Sequence, residues 1–256
     1  MALRYCFEQS SVVDTLIRSN ARDLAVIDTD GVNPKWIRKA VDRGVYVYGY
    51  LNIGALEKER SYYTAFKSLR LAKYDGWAGE YWIDPTDPGW QDHILEEAKK
   101  IKATGAIGLY LDNTDIYWMC KEGFQEKKTD MMQAAPRADA VFDALTKMVA
   151  RITYNVGLIV MPNGGDEFVK QFINNYPGTI STINQESLFY EDFKRLPASE
   201  TAYRKAYMKW AAKRIKGKVR GIEYCKKASE IAFVKAYYAA HGWDVYISKH
   251  KNLEGD

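Results

Sequence analysis

Eight short runs rich in apolar and β-branched residues recur along this chain. Helix-like stretches alternate with them, and this alternation restricts the fold more than any other feature. The runs fall at residues 4–7, 24–28, 45–51, within 105–118 (carried by Ile107, Leu109 and Leu111), 158–161, 180–183, 219–222 and 244–248. Apolar runs of this length bounded by turn residues read as strands, and apolar residues repeating at three and four read as helices. Helices are expected over 10–19, capped by Ser10 or Ser11, and from Asn33-Pro34, with Asn33 as cap and Pro34 in the first turn. Others are expected from Asp87-Pro88-Gly89 to Gly105, and over 136–149, 168–176, 199–215 and 229–241. The stretch 57–79 reads as an excursion with a helical part over 60–71. It leads to a rim segment at 80–85, and 120–133 reads as an exposed loop. Eight strands alternating with helices favour a closed parallel (β/α)8 barrel over an open doubly wound sheet. The length of 256 residues fits one such α/β barrel, so residues 1–256 are expected to form a single domain.

In parallel α/β proteins ligands gather at the carboxyl ends of the strands. The residues expected there are Asp28 and Asp30, Asn52, Asp112 with Asn113 and Asp115, Asn163, Glu186 and Glu223, with Asp84 on the rim. That face is acidic although the chain carries a net charge of +4. Tyr50, Tyr81, Trp82, Tyr117, Trp118, Tyr190 and Tyr224 are interleaved among the acids. Carboxylates supply general acid, base or nucleophile, and aromatic faces suit the apolar sides of sugar rings.

Several other chemistries lack their residues. There is no Gly-x-Gly-x-x-Gly or Walker-type loop, and His93, His241 and His250 are scattered, so neither cofactor nor metal is expected. Cys6, Cys120 and Cys225 have no metal or redox spacing, and free thiols are expected. No strand end supplies a nucleophile-histidine pair, and a Schiff-base lyase would need a strand-end lysine, for which only Lys249 lies near. The net charge is too small to argue for nucleic acid. The basic run Lys209, Lys213, Arg214, Lys216, Lys218 and Arg220 reads as a solvated helix end on the face opposite the site. No apolar run approaches the roughly 18 residues of a membrane span, and no signal-peptide core follows Met1. No membrane insertion is expected. Localisation stays open between a cytoplasmic protein, delivery by another route and a leader already removed.

Val26-Ile27-Asp28, Tyr50-Leu51-Asn52-Ile53-Gly54 with Arg60, Trp82-Ile83-Asp84, Gly108-Leu109-Tyr110-Leu111-Asp112-Asn113-Thr114-Asp115, Asn163 and Asn184-Gln185-Glu186 form a recurring set. In these residues the chain resembles the endo-α-1,4-polygalactosaminidases of glycoside hydrolase family 114 over most of its length. The resemblance implies a TIM-type barrel hydrolysing α-linked galactosamine or N-acetylgalactosamine polysaccharide, with Asp112 and Glu186 as the carboxylate pair. Asp28, Tyr50, Asn52, Trp82, Asp84, Asn113, Asp115, Asn163, Glu223 and Tyr224 are the expected substrate contacts. Two departures stand out: Ile107 where many relatives carry Asp, and Asn-Gln-Glu where many read Asn-Glu-Gln. A one-residue slip on a strand reverses the side chain's face, so Glu186 rather than Gln185 must point into the mouth, with Glu223 as the next partner for Asp112. The pair is expected to face across the cleft at about 5 to 9.5 Å. Asp112 is expected to act as nucleophile or base and Glu186 as general acid, desolvated by Phe189 and Tyr190. The competing reading is a non-catalytic carbohydrate-binding barrel in a cell-wall or phage-particle assembly.

Overall fold

A computed structural model describes residues 2–253. Eight parallel strands build the barrel: β1 (Leu3–Cys6), β2 (Leu24–Ile27), β3 (Tyr46–Asn52), β7 (Gly108–Asp112), β8 (Ile159–Pro162), β9 (Ile183–Glu186), β12 (Val219–Tyr224) and β13 (Asp244–Ser248). Five intervening strands lie outside it: β4 (Ala55–Glu57), β5 (Arg70–Lys73), β6 (Glu80–Ile83), β10 (Tyr190–Glu191) and β11 (Lys194–Arg195). Hydrogen bonds run through β1-β2-β3-β7-β8 and through β9-β12-β13. A parallel bridge between Asn163 and Asn184 joins the two sets. At the remaining seam the Phe7 N–H donates to the Leu253 carbonyl at 2.9 Å, and the Tyr5 and Tyr246 rings lie 5.3 Å apart.

The two-residue period of each strand divides its side chains between two cores. Leu109, Leu111, Val47 and Val160 face outward into the layer shared with the helices. Burying each such side chain contributes about 1.5–3 kcal/mol. Tyr5, Tyr48, Tyr110, Tyr224 and Tyr246 face inward and fill the barrel with rings. Buried phenols need partners, and the Tyr5 hydroxyl finds one in Asn184 Oδ1 at 2.9 Å.

Local signals fix the helix starts. Asn33 Oδ1 accepts from the Lys35 N–H at 3.0 Å, and Asp87 Oδ1 accepts from the Trp90 N–H at 3.0 Å, each with proline following in the first turn. The first helix, Gln9–Arg18, departs from expectation: Glu8 is its cap residue and neither Ser10 nor Ser11 caps it.

Two other expectations are corrected and one is narrowed. The sixth barrel strand lies at Ile183–Glu186, three residues later than the apolar run suggests, because inward-facing Asn184 finds hydrogen-bond partners inside the barrel. The helical part expected over 60–71 is present but shorter, as Tyr63–Phe66 and Lys67–Leu69, with Tyr62 and Phe66 packed on His93 and Trp90, while the flanking chain pairs into a three-stranded antiparallel sheet of order β4-β6-β5. The expected loop at 120–133 is helical as far as Glu126, with a π-type turn over Met119–Gly123, and it buries Met119 and Phe124. No disulfide joins Cys6, Cys120 and Cys225. Among the described residues no helix is long and apolar enough to cross a membrane.

Candidate active site

Asp112 is the last residue of β7 and Glu186 the last of β9. Each is followed by a residue with left-handed backbone, Asn113 (φ 62°) and Ser187 (φ 58°). Such a backbone is uncommon outside glycine, and here it turns the chain away directly after each carboxylate. The turn at Asn113 is packed tightly, because a Cβ on Gly54 would collide with the Asn113 carbonyl. Both carboxylates line one cleft of about 970 Å³. Glu186 shares the inward face of β9 with Asn184, and the Tyr224 hydroxyl donates to Glu186 Oε1 at 3.1 Å. Gln185 also borders the cleft, and its amide donates to the Glu186 carbonyl at 2.8 Å.

A fixed chain of amides lies under the pair. Tyr5 donates to Asn184 Oδ1, Asn184 Nδ2 donates to Asn163 Oδ1 at 2.7 Å, and Asn163 Nδ2 donates to Asp112 Oδ1 at 3.1 Å. Each bond sets which end of the next amide carries the donor. Asp112 also accepts from the Asn113 N–H at 3.1 Å, and the Tyr50 hydroxyl stands 3.1 Å from its Oδ2. Burial raises the Asp112 pKa, and the bonds from Asn163 and Tyr50 oppose that rise. Burial first, and the Asp112 charge second, push Glu186 up to about 7; Tyr224 and Asn163 partly offset this. Asp112 thus has three donors that favour its anion, and Glu186 titrates near neutrality. Two carboxyl groups held in such different surroundings in one cleft can share acid and nucleophile or base roles.

The outer antiparallel sheet adds groups that the sequence reading missed. Glu57, on β4, accepts from the Tyr50 hydroxyl at 2.6 Å and pairs with Arg60, which also pairs with Asp28 at 2.8 Å. Glu80 Oε1, on β6, accepts from Asn52 Nδ2 at 2.8 Å and Asn113 Nδ2 at 2.7 Å. Burial, then the Asp112 and Glu57 charges, raise Glu80 to about 8. Both acids sit in a segment whose alternation is too short to show which face they take. Arg204, from the helix Ala198–Ala212, donates to the carbonyls of Glu186 (3.0 Å) and Ser187 (2.7 Å), and nothing in the local sequence signals that role.

Of the other expected contacts, Asp28, Tyr50, Trp82, Asn113, Asp115, Asn163 and Tyr224 line the cleft. Three do not. Asn52 is buried behind the wall, where its amide donates to Glu80 and its Oδ1 accepts from the Ala55 N–H at 2.8 Å. Asp84 closes a turn by accepting from the Thr86 N–H (2.9 Å) and hydroxyl (2.6 Å). Glu223 points out of the barrel: with Tyr224 inward, its neighbour takes the opposite face, where it accepts from the Phe189 and Tyr190 N–H groups and the Tyr238 hydroxyl. Phe189 is likewise a core residue packed on Phe233 and Tyr237. Tyr224 and Tyr110, which line the cleft, stand where Phe189 and Tyr190 were expected. Among the described residues no cluster of three or more His, Cys, Asp or Glu is arranged to hold a metal ion.

Known proteins share this architecture. The glycoside hydrolase domain of PelA from Pseudomonas aeruginosa superposes with a TM-score of 0.77 at 18% identity, over 100% of this chain and 96% of that one. Aspergillus fumigatus Ega3, solved in complex with galactosamine, gives 0.73 at 15% identity over 100% and 93%. A Thermotoga maritima protein of uncharacterised function is 26% identical over 206 residues, 75% of this chain. The match spans 62% of that relative's length, and a second, from Deinococcus radiodurans, is 30% identical across 31% of this chain and 27% of its own. The model of glycoside-hydrolase family GH114 matches residues 5–254, nearly the whole sequence, and the chain belongs to that family.

Proposed function

We propose that this protein is a glycoside hydrolase that cleaves α-1,4-linked galactosamine or N-acetylgalactosamine polysaccharide within the chain. Asp112 acts as nucleophile or base and Glu186 as general acid. The observation that carries this reading is the convergence of two half-buried strand-end carboxylates on one cleft, where burial and the neighbouring Asp112 charge raise Glu186 to about 7. In such a pair the protonated acid donates to the leaving glycosidic oxygen while the anion supports or attacks the anomeric carbon. Family membership supports the reaction class, and the fold shared with a protein crystallised with galactosamine supports the sugar. An open cleft of about 970 Å³ suits several sugar units, as internal cleavage requires. The test is the size distribution of products from galactosamine and N-acetylgalactosamine oligomers. Internal cleavage releases intermediate lengths early. Release of single sugars alone would contradict the endo mode, and binding without any product would leave a carbohydrate-binding barrel.

A further inference from the structure

One part of the cleft has no role in the pair just described. It lies between the turn after β8 and the helix Ala198–Ala212, where Asp115, Gly164, Gly165 and Tyr207 meet. Asp115 Oδ1 accepts from the Gly165 N–H at 3.1 Å. The Asp115 backbone N–H also donates to this carboxyl group, whose Oδ2 faces Gly164. A Cβ on Gly164 would stand 3.5 Å from that oxygen, and both glycines have left-handed backbone (φ 59° and 60°), so the approach stays open where a side chain would be strained. Tyr207 is 2% exposed, and its hydroxyl is buried without a hydrogen-bond partner. A buried hydroxyl left unpaired is unfavourable unless a ligand or water completes it. Nearby, Asp166 Oδ2 accepts from Lys170 (2.5 Å) and from the Tyr203 hydroxyl (2.6 Å), while Thr114 Oγ1, beside Gly165, is also buried without a partner. Asp115 Oδ2 and the orphan Tyr207 hydroxyl, which can accept as well as donate, are therefore polar groups left in the same wall. Burial, then the Asp112 and Asp166 charges, push Asp115 up to about 7, so its carboxyl group is partly protonated near neutrality and a cationic donor would favour the ionised form.

We propose that Asp115 and Tyr207 form a sugar subsite beside Asp112 and Glu186, taking a hydrogen-bond-donating group of the substrate, an ammonium or a hydroxyl. This rests on the carbohydrate reading of the cleft but not on hydrolysis. A donor lodged there bonds to Asp115 Oδ2 and the Tyr207 oxygen, and orients the sugar unit next to the scissile bond.

Calorimetric titration of the full chain and of Tyr207→Phe and Asp115→Asn with galactosamine, N-acetylgalactosamine and galactose tests it. Tyr207→Phe removes the hydroxyl alone and keeps the ring that stacks near Trp210. It decides the matter if Asp115→Asn fails to fold. If the donor is an ammonium, Tyr207→Phe weakens galactosamine by about fivefold and leaves galactose unchanged; if it is a hydroxyl, all three weaken alike. Unchanged affinities for all three sugars in the variants would overturn the subsite, as would a parent that binds none of them. A parent that binds the sugars but cleaves no oligomer would contradict the hydrolase reading and leave the subsite standing.

Discussion

The Tyr50 hydroxyl stands between two carboxylates, 2.6 Å from Glu57 Oε1 and 3.1 Å from Asp112 Oδ2. It has one proton to donate, and the shorter contact is to Glu57, so the support it gives Asp112 depends on Glu57. Removing the hydroxyl takes away a bond that lowers the Asp112 pKa. Tyr50→Phe is expected to shift the acid limb of the pH–rate profile upward, because Asp112 must ionise to act, and to lower turnover by about tenfold at pH 6. An unmoved limb would show that Tyr50 does not tune Asp112.

On the proposed assignment the other limb belongs to Glu186. A general acid must be protonated, so activity is expected to fall as pH rises through about 7. The Tyr224 bond favours the ionised form of Glu186, and Tyr224→Phe should move the alkaline limb to higher pH. The measurement is kcat/KM across pH 4 to pH 9, about the span over which these carboxyl groups titrate.

Stability should follow the same groups. Glu80 is raised to about 8, and Asp115, Glu186 and Glu223 to about 7, above the values near 4 that carboxyl groups take in an unfolded chain. Between those limits the native state holds more protons than the unfolded state, so stability is present below the unfolded pKa values and is lost as pH rises through the folded ones. The protein is expected to have a higher Tm at about pH 5 than at about pH 8, with a shift of about 2–4 °C for each kcal/mol. Scanning calorimetry at both values checks the sign, and Glu80→Gln should shrink the difference.

Glu223 is expected to matter for folding rather than for contact with substrate. Glu223→Ala leaves the Phe189 and Tyr190 N–H groups and the Tyr238 hydroxyl without their acceptor, a loss of about 2–4 kcal/mol in chemical denaturation. A change in turnover with unaltered stability would contradict that assignment.

Much of this was legible in the sequence, and the gaps have physical causes. Asn33-Pro34 and Asp87-Pro88 marked helix starts because cap and proline chemistry acts within a few residues. Asp112 stood out because a buried apolar run ends on it. The face of Glu223 was hidden because Val219 to Tyr224 is buried throughout, so polarity gives no alternation to read. Glu57 and Glu80 reach the cleft only through pairing between segments more than twenty residues apart, which no local pattern reports. Arg204 returns to Glu186 on the helix that follows β9, through a side-chain bond to backbone carbonyls that no residue pattern announces, while Tyr207 of the same helix reaches the side of Asp115 only through the folded barrel.

The cleft carries Asp28 and Glu57 paired with Arg60, together with Asp112, and Glu80, Asp115 and Glu186 add charge as pH rises through about 7 to 8. Such a surface concentrates cationic ligands, and salt weakens the effect. Deacetylated galactosamine oligomers are expected to bind more tightly than acetylated ones at low ionic strength, with the gap narrowing at high salt. Equal affinities at both would show that the acids serve chemistry or structure and not charge selection.

The most direct test of the pair is the rate of galactosamine-oligomer hydrolysis by the parent, Asp112→Asn and Glu186→Gln, each confirmed as folded by its unfolding transition. The parent should release shorter oligomers, and each variant should be slower by about 10²–10⁴-fold. Near-parental turnover in either variant would contradict the assignment of Asp112 and Glu186 as the groups that break the glycosidic bond.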